Sequence, residues 1–371
     1  MSRRAPRALL ILSLCLLGAC ASDKPKPTPL ENVAPKITGR EVWHSSIGRI
    51  GYPMVATARD GVFYVASGEG EVRALQAADG ALRWQARAGG PISAGVGSDG
   101  RFTSVVTRGN EVVTFEGGRE VWRKRVPSAV VTPPLVAGER VFVMGVDRAV
   151  HAFDALDGRR LWTFQRPGDA LTLAQAGVVA AFHNTLLVGH GHRLVALDPL
   201  RGTVQWEVPM ASPRGSNEVE KLADLVGPVV RVGDRVCVRA FQSAVACADA
   251  AKGTLLWSRS VGGVQAVAGD AERVFGADAS DRITAWQAGS SDVAWTSEKF
   301  LYRGLSGALA AGPTVVFGDS QGWVLFLSAA TGEMQLRLPT DGKPVVGTPV
   351  LSGTTLLVTT QDGGLFAFRP Q

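Results

Sequence analysis

The chain has 371 residues, 46% of them hydrophobic and 19% charged, which fits one large domain or two with a packed core and excludes a disordered polymer. The formal charge is +6, but Arg3, Arg4 and Arg7 all precede residue 20 and no acid does, so the remainder carries +3, too little to argue for nucleic acid. Gly is abundant at 44, and after residue 40 no apolar stripe of helical period persists. Short alternating runs broken by Gly and Asp dominate instead, which predicts an all-β chain.

At the N-terminus the three arginines precede an apolar run from Ala8 to Leu17. That run is shorter than the roughly 20 residues a membrane-spanning helix needs, and it suits the apolar part of a secretory signal. Residues 1–19 are therefore expected to be a signal peptide. Leu17-Gly18-Ala19-Cys20 resembles the lipobox of bacterial lipoprotein precursors. The resemblance implies cleavage before Cys20 and acylation of its sulfur and new amino group, a stable membrane anchor. An ordinary signal peptide with an incidental Cys is the plainer alternative. Ala21, rather than Asp, follows the cysteine, which favours the outer membrane with the chain facing the periplasm. Residues 20–38 contain Pro25, Pro27, Pro29 and Pro35 among lysines, the composition of a lipid-anchored flexible tether.

The next signal is a repeat. Val72 to Trp84 (VRALQAADGALRW) recurs at Val150 to Trp162, Leu194 to Trp206 and Val245 to Trp257. Degraded copies end at Trp122, Trp295 and Leu336. Trp43 closes a second half without a first, and Leu365 to Arg369 is a first half without a second. Positions 43, 84, 122, 162, 206, 257, 295 and 336 are spaced 41, 38, 40, 44, 51, 38 and 41. A period of about 40 with several short strands per unit predicts propeller blades. Seven units are complete and the two orphan halves make an eighth. Residues 39–371 are thus expected to form an eight-bladed β-propeller with four-stranded blades. Pairing of the N-terminal strand 40–46 with the C-terminal strand 365–369 would close it and leave no free terminal edge. The turn Gly permits positive φ and the Trp supplies core area. No Trp-Asp dipeptide occurs, against a WD40 ring, and the unit resembles the PQQ-type repeat of quinoprotein dehydrogenases, which form eight-bladed rings.

Little else points to chemistry. No conspicuous carboxylate cluster or adjacent cysteines accompany the repeat, so no catalytic residue, cofactor or metal is expected. A quinone- or sugar-binding propeller of the quinoprotein type is the alternative. His190 and His192 form H-x-H in a predicted hairpin turn, read as a solvated turn rather than a metal site for want of further ligands. Cys237 and Cys247 lie at equal distances from a turn near residue 242, in strands expected to be neighbours. They form either a disulfide or two small buried hydrophobes.

Three stretches carry a closer resemblance. They are Ala170-Leu171-Thr172-Leu173, the run from Arg214 to Leu225 (RGSNEVEKLADL), and Gly318-Asp319-Ser320-Gln321-Gly322 followed by Trp323. Together with the anchor and the ring, they make the whole chain similar to the BamB family, accessory lipoproteins of the outer-membrane β-barrel assembly (BAM) machinery. The resemblance implies a non-enzymatic scaffold that docks on the periplasmic domains of BamA and helps outer-membrane proteins insert, with unfolded clients as further partners. It implies a partner surface at Leu171, Leu173 and Asp224, with Glu218 and Glu220 in the same acidic stretch. Ala174 replaces an Arg common in the family, and Val226 a second Asp, so the charged part of that contact differs here. Leu171 and Leu173 would otherwise be core residues of a strand. The 51-residue spacing from Trp206 to Trp257 is explained by an insertion between blades at 210–227.

Overall fold

A computed structural model describes residues 25–52, 55–166, 171–213, 215–217 and 219–371. The expected signal peptide and Cys20 lie outside the described residues. Among the described residues, thirty-two strands form eight sheets of four antiparallel strands. The first seven blades span residues 57–87, 97–125, 135–164, 179–209, 225–259, 268–297 and 309–339. The eighth takes its three inner strands from 350–370 and its outer strand from Gly39–Ser46. No helix of the described residues is long and apolar enough to cross a membrane.

Burial explains the strand sequences. Second and third strands are covered on both faces by neighbouring blades, so Val62–Ala66 and Thr314–Gly318 read as near-continuous apolar runs. Outer strands such as Leu82–Arg87 are covered on one face and alternate with polar residues. The tryptophans link the blades. In the first pair, the Trp43 indole N–H donates to the Ala77 carbonyl at 3.0 Å, and its ring lies against Gly80. A Cβ on Gly80 would sit 2.7 Å from that ring, and φ there is 74°, so the turn needs glycine twice over. Trp122, Trp162, Trp257 and Trp295 donate in the same way to carbonyls of the next blade.

The ring closes as the two orphan halves require. Gly39–Ser46 pairs antiparallel with Gly364–Pro370, Trp43 opposite Ala367. Arg369 reaches on to the first blade, donating to the carbonyls of Ala77 and Ala78 at 3.2 and 2.6 Å.

Two boundaries differ from the sequence reading. The insertion expected at 210–227 ends at Asp224, because Leu225–Val232 is the inner strand of the fifth blade, with Leu225 and Val226 buried. The tether expected to run free to residue 38 docks from Thr28 onward. The Thr28 N–H donates to the Leu301 carbonyl at 2.9 Å, and Lys36 N–H to that of Gln335 at 2.8 Å. Between them Leu30 and Val33 pack on the core shared by the sixth and seventh blades.

Candidate functional site

Strand direction alternates within a blade. Hairpins joining second to third strands therefore share one face of the ring with the links from an outer strand to the next blade's inner strand. The links around residues 171–178 and 210–224 both lie on that face, beside the hairpin turns at 145–149 and 191–192.

Leu171 and Leu173 belong to a loop, not to a strand. Leu171 is 38% exposed and Leu173 half-buried. The loop is held by Asp224. One carboxylate oxygen accepts from Arg148 Nη2 at 2.7 Å, the other from the Leu173 backbone N–H at 2.9 Å. Arg148 Nη2 also donates to the Leu171 carbonyl at 3.2 Å. Both charged side chains are mostly covered, at 9% and 15% exposure, so the pair is electrostatically strong and spends its bonds inside the protein. The structure thus unites Leu171, Leu173 and Asp224, with Asp224 as a positioning residue. Gln175 extends the loop's attachment by donating to the Val264 carbonyl at 2.6 Å.

The other acidic candidates stand apart. Glu218 lies outside the described residues. Glu220 folds back on its own turn, accepting from the Ser216 backbone N–H and hydroxyl at 2.7 and 3.1 Å. Those bonds, led by the Ser216 N–H, hold its carboxyl below the usual range. Val219 on that turn is 72% exposed, and the next residues, Lys221 to Asp224, line a shallow cleft with Leu171. Sequence reasoning missed Val219, a lone apolar residue between two glutamates, and Arg148, which sits 76 positions from its carboxylate.

Cys237 and Cys247 are directly opposed in neighbouring strands of the fifth blade, Cα atoms 4.0 Å apart and sulfurs joined, both fully buried. Of the H-x-H pair only His192 lies in the hairpin turn; His190 ends the strand Thr185–His190, opposite Arg193, so the solvated turn expected for both holds only in part. His190 is half-buried edge-on to Phe164, and burial holds its imidazole below the ordinary value. No group of three His, Cys, Asp or Glu able to hold a metal occurs among the described residues.

The segment around Asp319 has a role of its own. Asp319 is fully buried and accepts from Arg303 Nε at 2.9 Å and from the N–H groups of Gln321 and Trp323. Arg303 Nη1 then donates to the Thr28 carbonyl at 2.7 Å, clamping the N-terminal strap. A pocket at the inner ends of the first five blades is lined by Val55, Val96, Leu135, Val179 and Val229, with Thr and Ser hydroxyls and no carboxylate among its lining residues.

Fold and repeat define a PQQ-like eight-bladed propeller with a loop platform on one face. The family model described as "Outer membrane protein assembly factor BamB" matches residues 31–94 and 69–297. A BamB of Burkholderia pseudomallei is 34% identical over 100% of this chain and 99% of its own, and one of Bordetella pertussis 32% identical over 97% and 95%. The crystal structure of BamB from Moraxella catarrhalis superposes with a TM-score of 0.81 at 20% identity, covering 89% of this chain and 99% of that one. The fold is shared more widely. A quinohemoprotein alcohol dehydrogenase from Comamonas testosteroni gives 0.67 at 15% identity, over 90% and 76% of the two chains. The chain belongs to the BamB family of outer membrane protein assembly factors.

Proposed function

We propose that the protein is a non-enzymatic scaffold of the BAM complex, held to the outer membrane through Cys20 and facing the periplasm. It docks on the periplasmic domains of BamA through the loop carrying Leu171 and Leu173, contacts other BAM components, and helps unfolded β-barrel clients to insert. The observation that carries the reading is an apolar side chain, Leu171, exposed on a loop whose backbone is fixed by Asp224 and Arg148. A preorganised apolar anchor loses little entropy on docking, the usual property of an interface centre. The names of the relatives support membership of the assembly machinery.

The test is co-purification of BamA from detergent-solubilised outer membranes. The wild type retains BamA, and the double variant Leu171→Asp, Leu173→Asp, with an unchanged melting curve, loses it. Retention of BamA by a folded double variant overturns the proposed contact.

A further inference from the structure

Seven of the eight blade junctions are filled by a tryptophan of the outer strand docking on the next blade. At the eighth, between the seventh blade and the closing blade, Leu336 stands in its place. The dock itself is present. Gly39 pairs with Pro370 as the closing blade's counterpart of the docking turn, and a Cβ on Gly39 would lie 3.0 Å from Leu336 Cδ2. Aligning LFAFRP with VRALQA puts the Pro370 carbonyl at the position of the Ala77 carbonyl, which accepts the Trp43 indole N–H. Opposite Leu336 is Phe326, where other blades carry Ala74, Ala152, Ala196 or Ala285 opposite their tryptophan. In this blade the aromatic ring stands on the third strand, as Phe326, and the outer-strand position holds Leu336.

An apolar cavity of about 420 Å³ remains, lined by Leu336, Leu338, Phe326, Phe368, Leu356 and Pro370, with the 38%-exposed Leu351 also on its lining. An apolar cavity of roughly 150 Å³ already suffices to bind benzene. Leucine is too short to cover a dock built for an indole, and two phenylalanine rings line the space. The hairpins at Gly312 and Gly353 border it, so it opens on the face opposite the loop of Leu171, and the inference is independent of that loop's role.

We propose that this junction is a binding site for the tryptophan side chain of a partner polypeptide, which docks on Gly39 and donates its indole N–H to the Pro370 carbonyl. The internal tryptophans specify the occupant: all seven give the ring size and apolar faces, and five of them donate the indole N–H to a carbonyl of the next blade. Contact with Phe326 or Phe368 favours an aromatic over an aliphatic side chain by up to about tenfold.

The test is fluorine NMR of a blocked tripeptide, alanine–5-fluorotryptophan–alanine, titrated with the purified propeller. The wild type gives saturable broadening at peptide concentrations up to about 1 mM, and unlabelled tryptophan peptide competes while its leucine counterpart competes about tenfold less well. The variant Leu336→Trp fills the junction and loses the signal. The double variant Leu336→Trp, Phe326→Ala, which restores the alanine–tryptophan pair of the other blades, does the same with a melting temperature at or above wild type. Absence of saturable binding, equal competition by the leucine peptide, displacement by dodecanoate alone, or full binding by the folded double variant each overturns the proposal.

Discussion

Replacing Asp224 by Asn tests whether this residue acts on the partner or on its own loop. The carboxylate accepts from Arg148 and from the Leu173 N–H, one bond on each oxygen. An asparagine has one acceptor oxygen, so its NH₂ group must face either the guanidinium or the amide, donor against donor. One charge-assisted bond, worth about 1.5–3 kcal/mol, is lost and a covered donor is left unmatched. The sum is about 2–4 kcal/mol, all of it local to the loop at 171–175. A shift of that size raises the open population of the loop roughly thirtyfold to several hundredfold.

Native-state hydrogen exchange reads this directly, since the Leu173 amide is protected by the bond being removed. Its exchange accelerates by that factor, while amides of the inner strands, such as that of Val195, stay unchanged. The melting temperature falls by no more than about 6 °C, because a propeller of this size has an unfolding entropy of roughly 0.7 kcal/mol per kelvin. Arg148→Met gives a parallel result, and both variants weaken BamA retention together. An unchanged Leu173 exchange rate in Asp224→Asn, or an Arg148→Met protein that binds as wild type, would show that Asp224 does not position the loop.

Further outcomes follow from the same structure. Asp319→Asn leaves the buried Arg303 without its carboxylate and costs about 3–5 kcal/mol, a drop of roughly 4–7 °C in melting temperature, whereas removing both charges with Arg303→Met, Asp319→Leu recovers much of it. The refuting observation is a single variant that melts with the wild type. The Cys237–Cys247 bond closes a short hairpin, so replacing both by Ala lowers stability by about 2–3 kcal/mol, and a chain starting at residue 25 takes up no thiol reagent unless reduced. Two alkylated cysteines in unreduced, unfolded protein refute it. Burial holds His151 and His190 below the ordinary histidine value, so below about pH 6.5 the unfolded chain binds more protons than the folded one and stability falls with pH. The slope between about pH 6.5 and 5.5 shrinks in His151→Leu, His190→Leu; a double variant with the full slope contradicts the assignment.

The blade count was legible because each unit's physics is local. A glycine turn, a strand and a tryptophan recur within thirteen residues in Val72 to Trp84, and the half-units at Gly39 and Leu365 complement each other down to the docking glycine. What escaped the sequence depends on contacts between blades. Leu225 and Val226 look like the end of a polar insertion. They are strand because the Gly191 carbonyl accepts the Leu225 N–H and Arg239 pairs with Val226. Prolines made residues 28–38 look free, since nothing nearby in sequence reveals Arg303 or Leu301. Arg239, fully buried, donates to four carbonyls from Val261 to Ala277, and burial pulls its guanidinium down to about 10. Its neighbours in sequence give no sign of this, because Gly263 and Gly276 provide the room.

The strap changes where an anchor at Cys20 would act. Had residues 20–38 hung free, the ring would pivot on the closing blade. Instead the chain crosses the thickness of the ring between the sixth and seventh blades, from Lys36 beside Gln335 to Thr28 beside Leu301 and Arg303. Leu301 and Arg303 lie in the link between those blades, so Thr28 leaves the ring on the face that carries Leu171 and Val219. An anchor at Cys20, eight residues before Thr28, would then act on the proposed docking face and limit how far that face turns from the membrane. The clamp that fixes this exit is the buried Arg303–Asp319 pair. The Gly318 to Gly322 segment and the Leu171 loop therefore serve one geometry, although neither touches the other.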